Sequence, residues 1–288
     1  MPRQTGLERI ERRDCHTRCR TIQVGHRRCA AAPPAIGKKG TFMTNPTEAR
    51  VEIFADAESL ARRVADWMLD LATAKDGVIS VSLSGGSTPQ RLYQLLAGRP
   101  YRDNFPWSRT HWFWGDERFV PHDDTLSNYR MVREALLSHA PIPAANIHPV
   151  PTEGITPDEA ASAYERELKS FYGAEHLEPN RPLFDVTLLG LGPDGHTASL
   201  FPNTAVLSER DRWVAAVVGA KSEARITLTY PALESSRNAA FLVAGEEKRA
   251  MLARLRGGDD RLPAARLHPT GTLWIFGDAA AAGAAAPL

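Results

Sequence analysis

Asp185-Val186-Thr187-Leu188-Leu189-Gly190-Leu191-Gly192 decides the architecture of this chain. A strand with one wet face alternates apolar and polar residues. Here the apolar run is nearly continuous, which predicts a strand covered on both faces, as in a parallel sheet. Gly190 then ends it. Working outward, two further strands that end at a glycine turn lie upstream. Val78-Ile79-Ser80-Val81-Ser82-Leu83 ends at Ser84-Gly85-Gly86, and His111-Trp112-Phe113-Trp114 ends at Gly115. Helical periodicity fills the intervals. Asp56 can cap a helix running to Lys75, with Leu60, Val64, Trp67, Met68 and Leu71 on one face. Pro89 sits where a second helix begins, and Thr125 to Leu137 and Pro157 to Tyr172 read as two more. Val51–Phe54, Trp213–Val218, Arg225–Thr229, Ala240–Val243 and Leu273–Phe276 are further strands, and Glu246–Leu255 is a helix closed by Gly257-Gly258. Strands alternating with helices predict an α/β fold: a Rossmann-like, mostly parallel sheet with helices on both faces, in a single domain.

The whole chain of 288 residues carries 35 basic and 34 acidic side chains, a formal net charge of +1. That balance gives no nucleic-acid footprint. No apolar run is long enough for a membrane-spanning helix. The near-zero total hides an asymmetry. Residues 1–42 hold ten basic and three acidic side chains, or +7, which leaves −6 for residues 43–288. All three cysteines (Cys15, Cys19 and Cys29) fall in that first segment, so no disulfide framework is expected in the rest. Residues 1–42 lack periodicity and read as a disordered basic extension, or as upstream sequence before a true start at Met43. Two other readings are a basic arm for nucleic acid or membrane, and a zinc site from Cys15, Cys19, His26 and Cys29. The domain is expected over 43–278, with a frayed Ala-rich tail over 279–288.

In open α/β sheets ligands bind beyond the carboxyl ends of the strands. Chemistry is therefore expected after Leu83, Trp114 and Leu189. After Leu83 comes Ser84-Gly85-Gly86-Ser87-Thr88-Pro89. Gly85 and Gly86 admit close backbone approach, Ser87 and Thr88 add hydroxyls, and a helix start adds its positive dipole end, which together make a phosphate cradle. The alternative is a plain turn with Thr88 as N-cap. No Gly-Lys-Ser/Thr of a Walker loop follows, and Ser82 lies where a nucleophile elbow needs glycine. After Trp114 comes Gly115-Asp116-Glu117-Arg118, where Arg118 is suited to an anionic substrate, or else to a surface ion pair. Asn128, just downstream, is either polar lining of the same cleft or a helix cap. After Leu189, the loop Gly190 to Pro202 formally contains a dinucleotide fingerprint at Gly190, Gly192 and Gly195. Pro202 interrupts the helix that fingerprint requires, and Asp194 would repel a pyrophosphate. The loop instead presents His196, suited to accept a proton from water near neutral pH, with Asp194 to orient it. Lys221 is a candidate phosphate counter-charge, or a solvated loop lysine.

Taken together, Ser84 to Pro89, Trp114 to Arg118, Ser127-Asn128-Tyr129, Gly190 to Pro202 and Arg225 to Thr229 resemble the 6-phosphogluconolactonase family, in its order, across Val51 to Phe276. The resemblance implies hydrolysis of 6-phospho-D-glucono-1,5-lactone to 6-phosphogluconate in the oxidative pentose phosphate pathway, with no required metal or organic cofactor. It further implies a cytoplasmic enzyme, monomeric or weakly self-associating, whose partner is a sugar-phosphate lactone. It also implies a fold shared with glucosamine-6-phosphate isomerase/deaminase enzymes, the main alternative activity. That sister family has an acidic residue before the loop-closing proline, where this chain has Phe201, and typically a tyrosine at the position of Arg118. Both departures favour the lactonase. A sugar-phosphate-binding module without turnover is the remaining alternative. The lactonase pattern often places prolines after the lysine matched by Lys221, and Ser222-Glu223-Ala224 follow here.

Overall fold

Ten strands and eight helices build residues 49–283, the part of the chain described by a computed structural model. The strands are β1 (Arg50–Phe54), β2 (Ile79–Leu83), β3 (Thr110–Trp114), β4 (Asp116–Arg118), β5 (Ile147–His148), β6 (Val186–Leu189), β7 (Val214–Val217), β8 (Arg225–Leu228), β9 (Asn238–Val243) and β10 (Thr272–Asp278). The helices are α1 (Ala57–Ala74), α2 (Ser87–Ala97), α3 (Tyr101–Asn104), α4 (Asn128–Val132), α5 (Pro157–Tyr172), α6 (Tyr230–Glu234), α7 (Arg249–Arg256) and α8 (Ala279–Ala282). The alternative readings of residues 1–42 fall outside the described residues.

Seven strands form an all-parallel sheet in the order β1-β10-β9-β6-β2-β3-β5. Every residue of β2 and β6 is buried, as strands covered on both faces must be; in β2 that includes Ser80 and Ser82, which alternate with its apolar residues. Helices supply the cover. In α1, Leu60, Val64, Trp67 and Met68 face inward, and the Asp56 side chain accepts from the Ser59 N–H at 2.7 Å. In α5, Thr156 and Glu159 form a reciprocal capping box.

Three expectations need correction. First, β7 and β8 do not extend the main sheet. They pair antiparallel, with β4 beside β8, in a separate three-stranded sheet of order β4-β8-β7. The link over 218–224 is too short for the crossover that parallel neighbours need. Second, the helix expected from Thr125 begins at Asn128, because the Ser127 hydroxyl caps it by accepting from Arg130 N–H at 3.1 Å. Its second half, Arg133–Leu137, is wound as a π-turn. Third, Ala279–Ala282 is a helix rather than a frayed end. The Asp278 carboxylate accepts from Ala281 N–H at 2.8 Å, and Ala279 and Ala281 are buried.

Strand order fixes where chemistry can occur. β9, β6, β2 and β3 are consecutive neighbours at the centre of the sheet. Their carboxyl ends therefore converge on one rim, although they come from distant parts of the sequence.

Candidate active site

A cavity of about 310 Å³ opens at that rim. Four strand ends wall it. β2 contributes Ser84 to Pro89, and β3 leads into Asp116 and Arg118. β6 contributes Gly190 to Pro193 with His196, and β9 contributes Leu242, Ala244, Glu247 and Lys248.

The cradle after β2 is built on backbone. Gly86 takes φ 106°, a region closed to side chains with a Cβ, and α2 begins at the next residue. Thr88 is therefore inside the first turn and Gly86 is the N-cap, which leaves the first N–H groups of α2 without intrahelical partners. Gly85 has a second reason to be glycine: a Cβ there would overlap the Asn128 side chain. That contact, with the bond from Asn128 Nδ2 to Asp116 O at 2.9 Å, makes Asn128 cavity lining while Ser127 does the capping.

Glu117 is the hidden anchor of this wall. It is only 1% exposed, and its carboxylate accepts from the N–H groups of Arg118, Asn128 and Tyr129, each at 2.7 Å, and from Ser127 Oγ at 3.2 Å. Burial pushes its carboxyl above the usual range, against the three backbone donors. Asp116 and Arg118, on either side of it, point into the cavity. Arg118 donates through Nη1 to Leu126 O at 2.5 Å.

Two buried tyrosines hold the rim. Tyr93 accepts from Ser84 N–H at 3.0 Å and donates to Ser84 O at 2.8 Å. Tyr164 accepts from Trp114 N–H at 2.7 Å and donates to Trp114 O at 3.1 Å. Each phenol thus satisfies both backbone groups of the residue preceding the glycine at which its strand ends.

The histidine loop places a dyad. His196 Nδ1 bonds to Asp194 Oδ1, and the His196 N–H donates to the same oxygen at 3.2 Å. A Cβ at Gly192 would overlap the His196 ring, so that glycine makes room for the imidazole. Burial alone would raise the Asp194 carboxyl. The bond and charge of His196 outweigh it and hold the group below the usual carboxylate range. With Nδ1 engaged by a carboxylate, Nε2 is the nitrogen left for chemistry. Ser199 fastens the loop to β4 and β8, donating from Oγ to Asp116 Oδ2 at 2.6 Å and from N–H to Thr227 Oγ1 at 3.1 Å. Ala198, between them, adopts φ 46°.

Gly85, Gly86, Ser87, Thr88, Arg118 and His196 thus share one cavity wall. Lys221 stands elsewhere. Its Nζ lies 3.8 Å from Asp194 Oδ2 and 5.0 Å from the Phe201 ring centre, and it lines a neighbouring cavity behind the dyad. The cation that does enter the main cavity from β9 is Lys248, missed in the sequence. Phe241-Leu242-Val243 followed by Gly245 is a fourth strand-end glycine, and the same rule applied there finds Lys248 three residues on. Among the described residues, no group of three or more His, Cys, Asp or Glu side chains is arranged to hold a metal ion.

Comparison with known proteins agrees with this geometry. Residues 55–275 match the family described as glucosamine-6-phosphate isomerases/6-phosphogluconolactonase. A 6-phosphogluconolactonase from a Nostoc species is 42% identical over 238 residues, covering 80% of this chain and 96% of that protein. One from Mycobacterium leprae is 38% identical over 250 residues, covering 81% and 98%. Among solved structures, the Thermotoga maritima 6-phosphogluconolactonase superposes with TM-score 0.67 at 34% identity, over 80% of this chain and 99% of that one. A monomeric glucosamine-6-phosphate deaminase, at 19% identity and TM-score 0.69, covers 81% and 99% and shares the fold. With a family model spanning most of its length and such relatives across its folded part, the chain belongs to the glucosamine-6-phosphate isomerase/6-phosphogluconolactonase family.

Proposed function

We propose that this protein hydrolyses 6-phospho-D-glucono-1,5-lactone to 6-phosphogluconate in the oxidative pentose phosphate pathway. The observation that carries the mechanism is that His196, bonded to Asp194, lines the same cavity as a backbone anion cradle. A δ-lactone is an activated ester, so water can attack it directly. Asp194 accepts a hydrogen bond from Nδ1–H of His196 and fixes the tautomer that leaves Nε2 as base. As water oxygen bonds to C1, its proton passes to Nε2 and negative charge collects on the carbonyl oxygen. Collapse of that intermediate breaks the bond from C1 to the ring oxygen, and the imidazolium returns the proton to that oxygen. Water is consumed and no electrons are exchanged.

The cavity segment carries net negative charge, yet its substrate is a dianion, so attraction must be local. The N–H groups at Gly85, Gly86, Ser87 and Thr88, with Arg118 and Lys248, supply it. Lys221 acts from the far side of Asp194, as a counter-charge to the dyad. A doubly charged sugar does not cross a bilayer unaided, which suits a cytoplasmic enzyme acting where its substrate is made.

A coupled assay tests the reading. With 6-phosphogluconate dehydrogenase and NADP⁺ in excess, the protein should accelerate NADPH formation from freshly made lactone above the spontaneous rate. Ammonia release from glucosamine 6-phosphate without lactone turnover would overturn it.

A further inference from the structure

Two arginines are cross-strand partners on the small sheet. The antiparallel register of β4 and β8 sets Arg118 opposite Arg225 and Asp116 opposite Thr227. Cross-strand partners, and residues two apart along a strand, project to one face. Ser199 reaches both Asp116 and Thr227, so that face is turned towards the histidine loop. Arg225 therefore stands behind the cavity wall that Arg118 lines.

Its position is costly. Like charges opposite each other destabilise a sheet. The Arg225 side chain is only 12% exposed, and its acidic contact, Glu223, is long at 3.5 Å. Its Nη1 is buried with no hydrogen-bond partner among the described residues. Burial first, and then the Arg118 charge, pull its pKa below the usual arginine value. Arg118 forms no ion pair among the described residues and donates one Nη1 bond to a backbone carbonyl. Asp116, Glu223 and Glu117 offset part of this charge, yet Arg225 keeps one long ion pair and Arg118 none among the described residues, which leaves the face receptive to an anion.

We propose that Arg225 is a positioning residue for the anionic end of the substrate, acting through Arg118. It raises the positive potential of the wall and turns the Arg118 guanidinium outward, towards a bound phosphate. The chemistry recognised is a phosphate dianion. This inference rests on the sugar-phosphate reading of the cavity, and it concerns binding rather than bond breaking.

The test uses full-length Arg225→Gln, Arg225→Lys and wild type. Inorganic phosphate is titrated by calorimetry. Turnover is measured on the phosphorylated lactone and on unphosphorylated glucono-1,5-lactone, and thermal unfolding is recorded. In Arg225→Gln the phosphate Kd and the KM for the phosphorylated lactone should rise about tenfold, the scale expected of one partly screened charge. Neither kcat nor the kinetics on the unphosphorylated lactone should change, and Tm should not fall, because the charge removed is largely buried and held by a single long ion pair. Arg225→Lys keeps the charge and should restore phosphate affinity. Absence of phosphate binding by the wild type, an unchanged Kd in Arg225→Gln, or equal losses on both lactones with a lowered Tm would each overturn the proposal. The titration needs no turnover, so missing lactonase activity would overturn the proposed function while the phosphate Kd still decides the role of Arg225.

Discussion

The cradle after β2 and the histidine loop after β6 leave neighbouring strands at the same rim, yet they solve different problems. The cradle passes from strand to helix within three residues, Ser84 to Gly86, and offers mainly N–H groups. The histidine loop runs from Gly190 to Thr204 before its next helical turn, with positive φ at Gly195, Ala198 and Asn203. A short turn into a helix yields fixed donors and a dipole, which is what an anion needs. A long loop fastened at intermediate points can aim an imidazole, which is what proton transfer needs. On the proposed function, the cradle would bind mainly through backbone and the histidine loop would act through a side chain, on adjacent strands.

Substitutions can break that division. The largest effect is expected from His196→Ala, which should lower kcat by about 10²–10⁴ while KM for the phosphorylated lactone stays near wild type. A kcat close to wild type, after subtraction of spontaneous hydrolysis, would remove His196 from the mechanism.

Next comes one substitution made in both loops. Gly192→Ala drives a Cβ into the His196 ring, whereas Gly85→Ala drives one into the Asn128 amide. The first should lower kcat and the second raise KM, each by roughly tenfold or more, since small misplacements at a site are costly in rate. If both variants lost the same kinetic parameter, the two loops would not be separate devices.

Lys221→Met should have a smaller effect, about two- to fivefold on kcat/KM, because its half-exposed ammonium touches the dyad only at 3.8 Å. A loss as large as that of His196→Ala would put Lys221 in the reaction itself.

The smallest effect is on stability against pH. The folded Asp194 carboxyl is held below its ordinary value. Such a group contributes stability that is present above the unfolded value, about 3.9, and is lost as pH falls through the folded one. Asp194→Asn should therefore be less stable than wild type at neutral pH, and the gap should close in acid. A gap unchanged down to pH 2 in denaturant titrations would show that charge is not its source.

The main sheet was legible because its strands carry their own signature. β2, β3, β6 and β9 are short runs rich in apolar residues with a glycine one or two positions past their last residue, recognisable without their partners, whereas the two-residue β5 carries no such run and was not expected. The small sheet was legible only in part: β7 and β8 were expected as strands, whereas β4 and the antiparallel pairing were not. Asp116-Glu117-Arg118 is a charged triplet that becomes a strand only because β8 lies beside it. Its propensity says turn, and tertiary pairing decides otherwise. The same holds for the site. Gly85, Gly86, Asp194 and His196 stand out locally, as residue types at strand ends. Lys248 was hidden because the strand-end rule was not carried on to β9. The anchoring role of Glu117 depends on four donors, three of them more than nine residues away in sequence, a relation that no local window contains.

Tyr93 and Tyr164 have one more consequence. β2 pairs with β6 only up to Ser82, and β3 with β5 only up to Phe113. Past those rungs the backbone groups of Ser84 and Trp114 would ordinarily lose their partners or recruit water. The phenols take the place of the missing neighbours, so these two strand ends are finished by the protein itself rather than by solvent. A ligand bound at the rim therefore spends none of its binding energy on ordering them.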